Sequence, residues 1–351
     1  MSKPMIVPAS RQPEAPKRYT VPMPMEGDNG LFTQSWYAVC MSGDVEKGKV
    51  IGRNFLDGKV LVYRGEDGVA QVLSAYCPHV GADVSAGWVT ENRVVCPFHA
   101  WEFGRDGFVC KTGVGDPAPK NTGLFHFPTV ERWGIIFAFN GLEPLWQLPD
   151  FYDQDGPVAG KRLSDDELII TTERVFSMNT DPWVVCANTL DQNHIITLHH
   201  ISPEDLPGVE RIRWRPHDVT YEFTARHWKN EFVKYSVGIY GTTFFYQSST
   251  FDGRWFGILA PMGMPRPGVT EPYFVLAVKK GDGSEKALKE AKELSEYALD
   301  VERRFVWQDY SILTLIKFRQ GTLTKSDKPL AKFLDHIRNY PRAHPAADFL
   351  R

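Results

Sequence analysis

The stretch 77–99, CPHVGADVSAGWVTENRVVCPFH, constrains this chain more than any other, because two short loops each supply one thiol and one imidazole. The first loop reads Cys77-Pro78-His79 and the second Cys96-Pro97-Phe98-His99, with sixteen residues between His79 and Cys96. A Cys2His2 set can hold one zinc ion tetrahedrally, or a [2Fe-2S] cluster with both imidazoles on one iron. Zinc modules usually pair two Cys in one loop and two His in another. Here each loop mixes the types, so each can send its Cys to an inner iron and its His to an outer one. The one-residue gap in Cys77-Pro78-His79 is also too tight for an ordinary zinc knuckle.

The rest of the composition is that of a soluble globular protein. A length of 351 residues predicts about two domains. With 42% hydrophobic and 24% charged residues and a net charge of −3, nothing points to a nucleic-acid surface. Apart from Cys77 and Cys96, three cysteines remain, Cys40, Cys110 and Cys186. That odd remainder fits a reducing compartment better than a disulfide framework, so a cytoplasmic location is expected. The N-terminus is rich in proline and basic residues but has no apolar h-region, so residues 1–35 read as an extended arm and not a secretory signal. No run reaches the eighteen apolar residues of a membrane span.

From Trp36 onward come short runs rich in Val, Tyr and Phe: KVLVYR at 59–64, VAQVLS at 69–74, RVVC at 93–96 and GIIFAFN at 134–140. Asp57-Gly58 and Glu66-Asp67-Gly68 supply the turn residues, and together these predict a small antiparallel domain over 36–143 that carries the two loops. A Pro- and Asp-rich linker over 144–162 follows. The block 163–351 opens with the strand-like ELIITTERVF, and Asp181-Pro182 then marks a helix start, with Asp as N-cap and Pro at the first helical position. The helix is predicted to run through VVCANTLDQNHIITLHH and stop before Pro203. At least four strand-like stretches come next, and a long amphipathic helix, SEKALKEAKELSEYALDVERRFVWQDYSILTLI, ends the series. Strands followed by helices, not alternating with them, predict an α+β fold.

A second metal-binding pattern lies in that first helix, where Asn188, Asp191, His194 and His199 are spaced N-x-x-D-x-x-H-x-x-x-x-H. His194 and His199 are five apart, about 500° around a regular helix, so both can reach one ion only if the helix ends or bulges between them. Two His and one carboxylate form the facial triad of mononuclear iron(II), which leaves positions open for oxygen. Asp191 shares a face with His194 one turn away and is badly placed to be the third ligand. Asp309, in VWQDYSI on the long helix, is set among Val306, Trp307, Tyr310, Ile312 and Leu313, where a carboxylate needs a partner. His200 in place of His199, and Glu302 in place of Asp309, stay open on the residues alone.

The loops Cys77-x-His79 and Cys96-x-x-His99 resemble the C-x-H...C-x-x-H signature of Rieske proteins. Together with the pattern from Asn188 to His199, most of the chain resembles the catalytic (α) subunit of Rieske non-haem iron oxygenases, and more loosely, from Gln308 to Tyr340, their ketosteroid-hydroxylase-like group without a small subunit. The resemblance implies Cys77, His79, Cys96 and His99 on the cluster, and His194, His199 and Asp309 on the iron. It implies Asp191 as the acid that carries electrons from the cluster of one subunit to the iron of the next in a homotrimer, and Asn188 is carried with it as a candidate catalytic residue. The implied fold is an antiparallel Rieske domain beside a helix-grip-like catalytic domain, a curved antiparallel sheet wrapped around a long helix. The implied activity is hydroxylation of a hydrophobic, polycyclic or steroid-like substrate by O2, with electrons from NAD(P)H delivered by a separate flavin-containing reductase or ferredoxin. No G-x-G-x-x-G follows a strand, which agrees with an external donor. Oxidative O- or N-demethylation on the same iron is the alternative, and electron transfer without oxygenase activity is the alternative of a different class. A mostly apolar pocket is expected, with residues 241–249, Phe176, Met178, Trp307 and the segment near Trp255 as its lining.

Overall fold

The computed structural model describes residues 22–350 apart from 154, 227–231, 252, 320 and 322. Residues 1–21 of the expected arm lie outside the described residues.

The N-terminal half is built from three small antiparallel sheets. One is ordered His126–Phe127, Ala70–Ser74, Gly58–Arg64, Val50–Phe55, and a second Thr129–Arg132, Ile135–Phe139, Trp36–Met41. The hairpin between Val50–Phe55 and Gly58–Arg64 turns on Leu56 and Asp57, both at positive φ, the geometry of a two-residue turn whose twist matches its strands. The third sheet, Trp88–Thr90, Arg93–Val95, Glu102–Phe103 and Val109–Lys111, carries the second cysteine-histidine loop between its middle strands. The first loop follows strand Ala70–Ser74.

The second half is one eight-stranded antiparallel sheet. Its order is Leu168–Arg174, Val269–Lys279, Arg254–Arg266, Phe244–Phe251, Phe232–Tyr240, Asp218–Arg226, with the short strands Ser202–Pro203 and Arg213–Trp214 both pairing with Asp218–Arg226. Against it lies the long helix Glu285–Leu313, capped at its start by the Ser284 hydroxyl, which accepts from the Ala287 N–H. Ala291, Leu294 and Ala298 pack on Phe256, Ile258, Phe274 and Val278, and further along Val301 and Phe305 join Tyr221, Phe223 and Tyr235. These buried positions repeat at three and four residues, so the helix has one buried face along its length.

The halves share a core. Trp36, Ala38, Phe137 and Phe139 pack with Phe244, Tyr246, Leu259 and Val275. The approach is close enough that a Cβ on Gly263 would stand 2.4 Å from the Ala38 carbonyl oxygen. Both ends of the described chain cross between the halves as well. Met23 enters the core of the second half, Phe32–Thr33 pairs with Arg342–Ala343, and Ala346 and Leu350 enter the core of the first. The segment 23–33 is thus packed and paired, where residues 1–35 read as an extended arm from sequence.

That crossing is held by a buried polar group. The Glu26 carboxylate accepts from the Thr33 N–H at 2.9 Å and faces Arg342 at 3.5 Å, while Asp181 accepts from the N–H groups of Glu26 and Gly268. Asp181 does stand at the N-cap, with Pro182 at the first helical position, but it bonds these two distant amides instead of its own helix. Burial pushes the Glu26 carboxyl up to about 7, outweighing the Arg342 charge. A carboxyl raised by folding stabilises fully below its ordinary range near 4.5 and loses that contribution as pH rises through about 7. Glu26→Gln keeps an acceptor for Thr33 and removes the titration. The variant is expected to melt above wild type at pH 8 and to show a shallower fall in melting temperature between about pH 5 and 8; a lower melting temperature at pH 8 would mean that the Arg342 ion pair outweighs desolvation.

Candidate metal centres

The two cysteine-histidine loops fold alike. The Cys77 carbonyl accepts from the Gly81 N–H at 2.9 Å and the Cys96 carbonyl from the Ala100 N–H at 3.1 Å. Gly81 and Ala100, four residues on, both have positive φ. One residue later each chain returns to its cysteine, whose N–H donates to the carbonyl of Ala82 or Trp101. Cys77 and Cys96 are therefore buried and adjacent, and neither is in a disulfide. His79 and His99 are exposed, with their Nδ1 atoms 3.2 Å apart. Trp101 stacks on His79 at 4.6 Å and Phe98 covers His99 at 3.8 Å. Two sulfur donors inside and two nitrogen donors outside match a cluster with one inner and one outer iron. Burial pushes the Cys77 thiol up to about 11, so holding a thiolate there requires a cation.

The second centre depends on a broken helix. The sequence predicts one helix from Pro182 to the histidines, whereas the structure has a helix Pro182–Ala187, a 3-10 turn Asn188–Leu190, a break at Asp191 with ψ of 79°, and a new helix Gln192–Thr197. That second helix ends between His194 and His199, and the His199 N–H closes back on the His194 carbonyl five residues earlier. Asp309 arrives from the buried face of the long helix. Ligand atoms of His194, His199 and Asp309 all lie within 4.8 Å of one another. His200 is exposed, with φ of 55°, and lies outside this group.

Three neighbours orient these side chains. His194 Nδ1 bonds the Asp191 carbonyl, and His199 Nδ1 meets Gln308 Oε1 at 2.9 Å. Both rings then turn Nε2 inward, and His199 Nε2 stands 3.3 Å from Asp309 Oδ1. The Asn188 amide donates to the same carboxylate oxygen at 3.0 Å. Burial holds the His194 pKa below the ordinary histidine range. At His199 burial pulls the same way, but the Asp309 hydrogen bond and charge outweigh it and the pKa is raised. Two imidazoles and a carboxylate converging from one side, each held from behind, suit a divalent transition metal with open positions. The Asp191 carboxylate is half-buried and makes no hydrogen bond among the described residues. The contact of Gln308 with His199 has no signal in the sequence beyond its place beside Asp309 on the helix.

A cavity of about 160 Å³ opens beside this group, far more than the ~10–15 Å³ one water needs. Phe223, Tyr235, Phe245, Gln247, Glu302 and Phe305 help to line it. Within 241–249 the expected lining is Phe245 and Gln247, but Phe176, Met178, Trp307 and Trp255 are elsewhere. Trp307 precedes Asp309 by two residues, about 200° around the helix, and so faces outward. It is 57% exposed and packs on Phe176 at the surface. Met178 bridges to Thr270, and Trp255 lies in the core shared by the two halves.

The chain is similar to several known proteins in sequence and fold. Residues 35–126 match the family model of the Rieske [2Fe-2S] domain. The chain is 35% identical over 123 residues to cholesterol 7-desaturase nvd of Bombyx mori, covering 34% of this chain and 27% of that protein. It is 27% identical over 214 residues to the Xenopus laevis protein of that name, covering 58% and 43%. With the oxygenase component of 3-ketosteroid-9-alpha-monooxygenase of Rhodococcus rhodochrous it shares 25% identity over 172 residues, covering 49% and 44%. The chain thus spans less than half the length of these curated relatives. Among solved structures, Pseudomonas putida CBB5 NdmA with caffeine superposes with a TM-score of 0.64 at 15% identity over 86% of this chain and 89% of that one. Dicamba monooxygenase bound to dicamba gives 0.60 at 14% identity over 87% and 97%.

Removing the support behind one ring tests this arrangement. Gln308→Ala is expected to weaken iron(II) binding at the His194 site by about 10–100-fold in chelator competition, with the cluster's visible absorption unchanged; unchanged affinity would show that Gln308 does not set the orientation of His199.

Proposed function

We propose that this chain, which carries a Rieske [2Fe-2S] domain on the fold of the Rieske oxygenase catalytic subunits, is the terminal component of an oxygenase that hydroxylates a hydrophobic, polycyclic substrate. The observation that carries the reading is the group His194, His199 and Asp309 beside an apolar cavity, in the same chain as the cluster loops. An electron carrier would need no such second centre. The relatives named cholesterol 7-desaturase and 3-ketosteroid-9-alpha-monooxygenase support a polycyclic substrate.

In this reading Cys77, His79, Cys96 and His99 hold the cluster, and His194, His199 and Asp309 hold one iron. When bound, that iron supplies the redox chemistry with O2, drawing on electrons that originate in NAD(P)H and arrive through a separate reductase or ferredoxin. The chain's own residues do the rest. Asn188 and Gln308 fix the orientation of Asp309 and His199, and the Asp191 carbonyl holds the Nδ1 proton of His194 so that Nε2 stays free to ligate. Phe223, Phe245 and Phe305 keep water from the substrate carbon. Asp191, a half-buried carboxylate with no hydrogen bond among the described residues, is assigned the electron bridge to a cluster histidine of a neighbouring subunit in a homotrimer. The exposed apolar side chains of Val80 and Phe98, next in sequence to His79 and His99, support that interface. No helix among the described residues is long and apolar enough to cross a membrane.

Product analysis under labelled dioxygen tests the reaction. One labelled oxygen atom in the product marks hydroxylation, release of formaldehyde marks the demethylase alternative on the same iron, and a new double bond without label marks a desaturase. Metal analysis is expected to find one iron beyond the cluster pair; zinc alone, or iron confined to the cluster, would sink the oxygenase reading. Asp309→Ala is expected to lose that extra iron and keep the cluster absorption, and iron retained in the variant would assign the ligand role to another acid, with Glu302 first. Asp191→Ala is expected to keep both centres loaded and to lose steady-state turnover by a factor of about a hundred or more, the scale of a removed positioning contact. Normal turnover would remove its bridging role.

A further inference from the structure

Two polar side chains in the cavity lie outside the group His194, His199 and Asp309. Glu302 and Gln247 are 6% and 5% exposed, and both line the cavity. Gln247 Nε2 donates to Glu302 Oε1 at 2.9 Å, and among the described residues no other hydrogen bond reaches either side chain. The bond uses one carboxyl oxygen and one amide hydrogen. A second carboxyl oxygen, a second amide hydrogen and the Gln247 Oε1 acceptor remain, in a chamber whose other walls include Phe223, Val237, Phe245 and Phe305. Two other polar groups nearby are committed: the Tyr221 hydroxyl donates to the Thr189 carbonyl at 2.7 Å, and Asn188 is bonded to Asp309. Buried polar groups that are half satisfied are costly and call for a partner.

Helix geometry places this pair at a set distance from the chemistry. Glu302 and Asp309 are seven residues apart on the same face, about two turns or 10 Å along the axis. A ligand touching Glu302 at one end can therefore present a carbon several bonds away to the group around Asp309. We propose that Glu302 and Gln247 together form a binding subsite for the hydroxyl group of an otherwise apolar, polycyclic alcohol, and so position that substrate; this rests on the oxygenase reading above. A hydroxyl fits because it gives one hydrogen to the free carboxyl oxygen and accepts one from the amide. A ketone would leave the carboxyl oxygen unmet. An ammonium group, which only donates, would leave the remaining amide hydrogen without an acceptor.

The test is equilibrium dialysis of the metal-loaded full chain against four probes on one skeleton: androstanol, its ketone, its amine and the parent androstane. Wild type is expected to retain the alcohol about tenfold more tightly than androstane, the scale of one buried hydrogen bond. Glu302→Leu and Gln247→Leu are each expected to bring that ratio close to one by weakening the alcohol alone, while Glu302→Gln keeps a preference. The readout is a ratio within one sample, so partial loss of folded protein cancels, and Gln247→Ala serves where a leucine variant fails to fold. Equal retention of alcohol and hydrocarbon by wild type, a ratio unchanged in the leucine variants, a preference for the amine or ketone, or retention of none of the four would each overturn the subsite. Iron content is measured on the same samples. Extra iron with no alcohol preference removes this inference alone, whereas a clear preference in protein without that iron removes the oxygenase reading alone.

Discussion

The arrangement around His194 and His199 rests on which ring nitrogen each imidazole has free. A histidine whose Nδ1 is bonded from behind can offer only Nε2, and here the bonds come from the Asp191 carbonyl and the Gln308 amide oxygen. The first exists because the helix breaks at Asp191, and the second because the long helix brings Gln308 alongside Asp309. The break and the helix placement are therefore one requirement seen from two sides. If the first helix ran straight through, His194 and His199 would point about 140° apart. If the long helix rotated by one residue, Asp309 and Glu302 would leave the cavity together.

The sheet explains why that helix cannot rotate. Its buried face is written in Ala291, Leu294, Ala298, Val301 and Phe305, which lie on the inner surface of the strands. Glu302 and Asp309 continue the same face at the end where aromatic strand residues draw apart to form the cavity. The apolar stripe thus does two things, anchoring the helix at one end and aiming carboxyl groups at the other.

Much of this was legible in sequence. The loop residues Cys77, His79, Cys96 and His99 could be read from spacing because so few folds use thiol and imidazole at such offsets, and the strands over 36–143 could be read from their turns. The need for a helix end between His194 and His199 followed from 500° of arc. Asp309 has apolar neighbours in sequence, yet Trp307 and Ile312 are exposed, and it is the seven-residue interval to Glu302 and the four to Phe305 that turn it inward. The break at Asp191 was not legible, because no proline or glycine marks it; the residue has ordinary negative φ and only its ψ departs. Nor was the destination of the Asp181 side chain, since an N-cap residue is written identically whether it bonds its own helix or a segment 155 residues away.

The crossing of the two ends of the described chain bears on how this molecule is made. Leu350 fills a place in the core of the first half, and burying a leucine side chain is worth about 1.5–3 kcal/mol. The cluster-bearing half therefore emerges before the other half but lacks a piece of its own interior until Leu350 has been added. Its maturation is tied to that of the other half, so removal of the segment from Ala346 to Leu350 would compromise the half farthest from it in sequence.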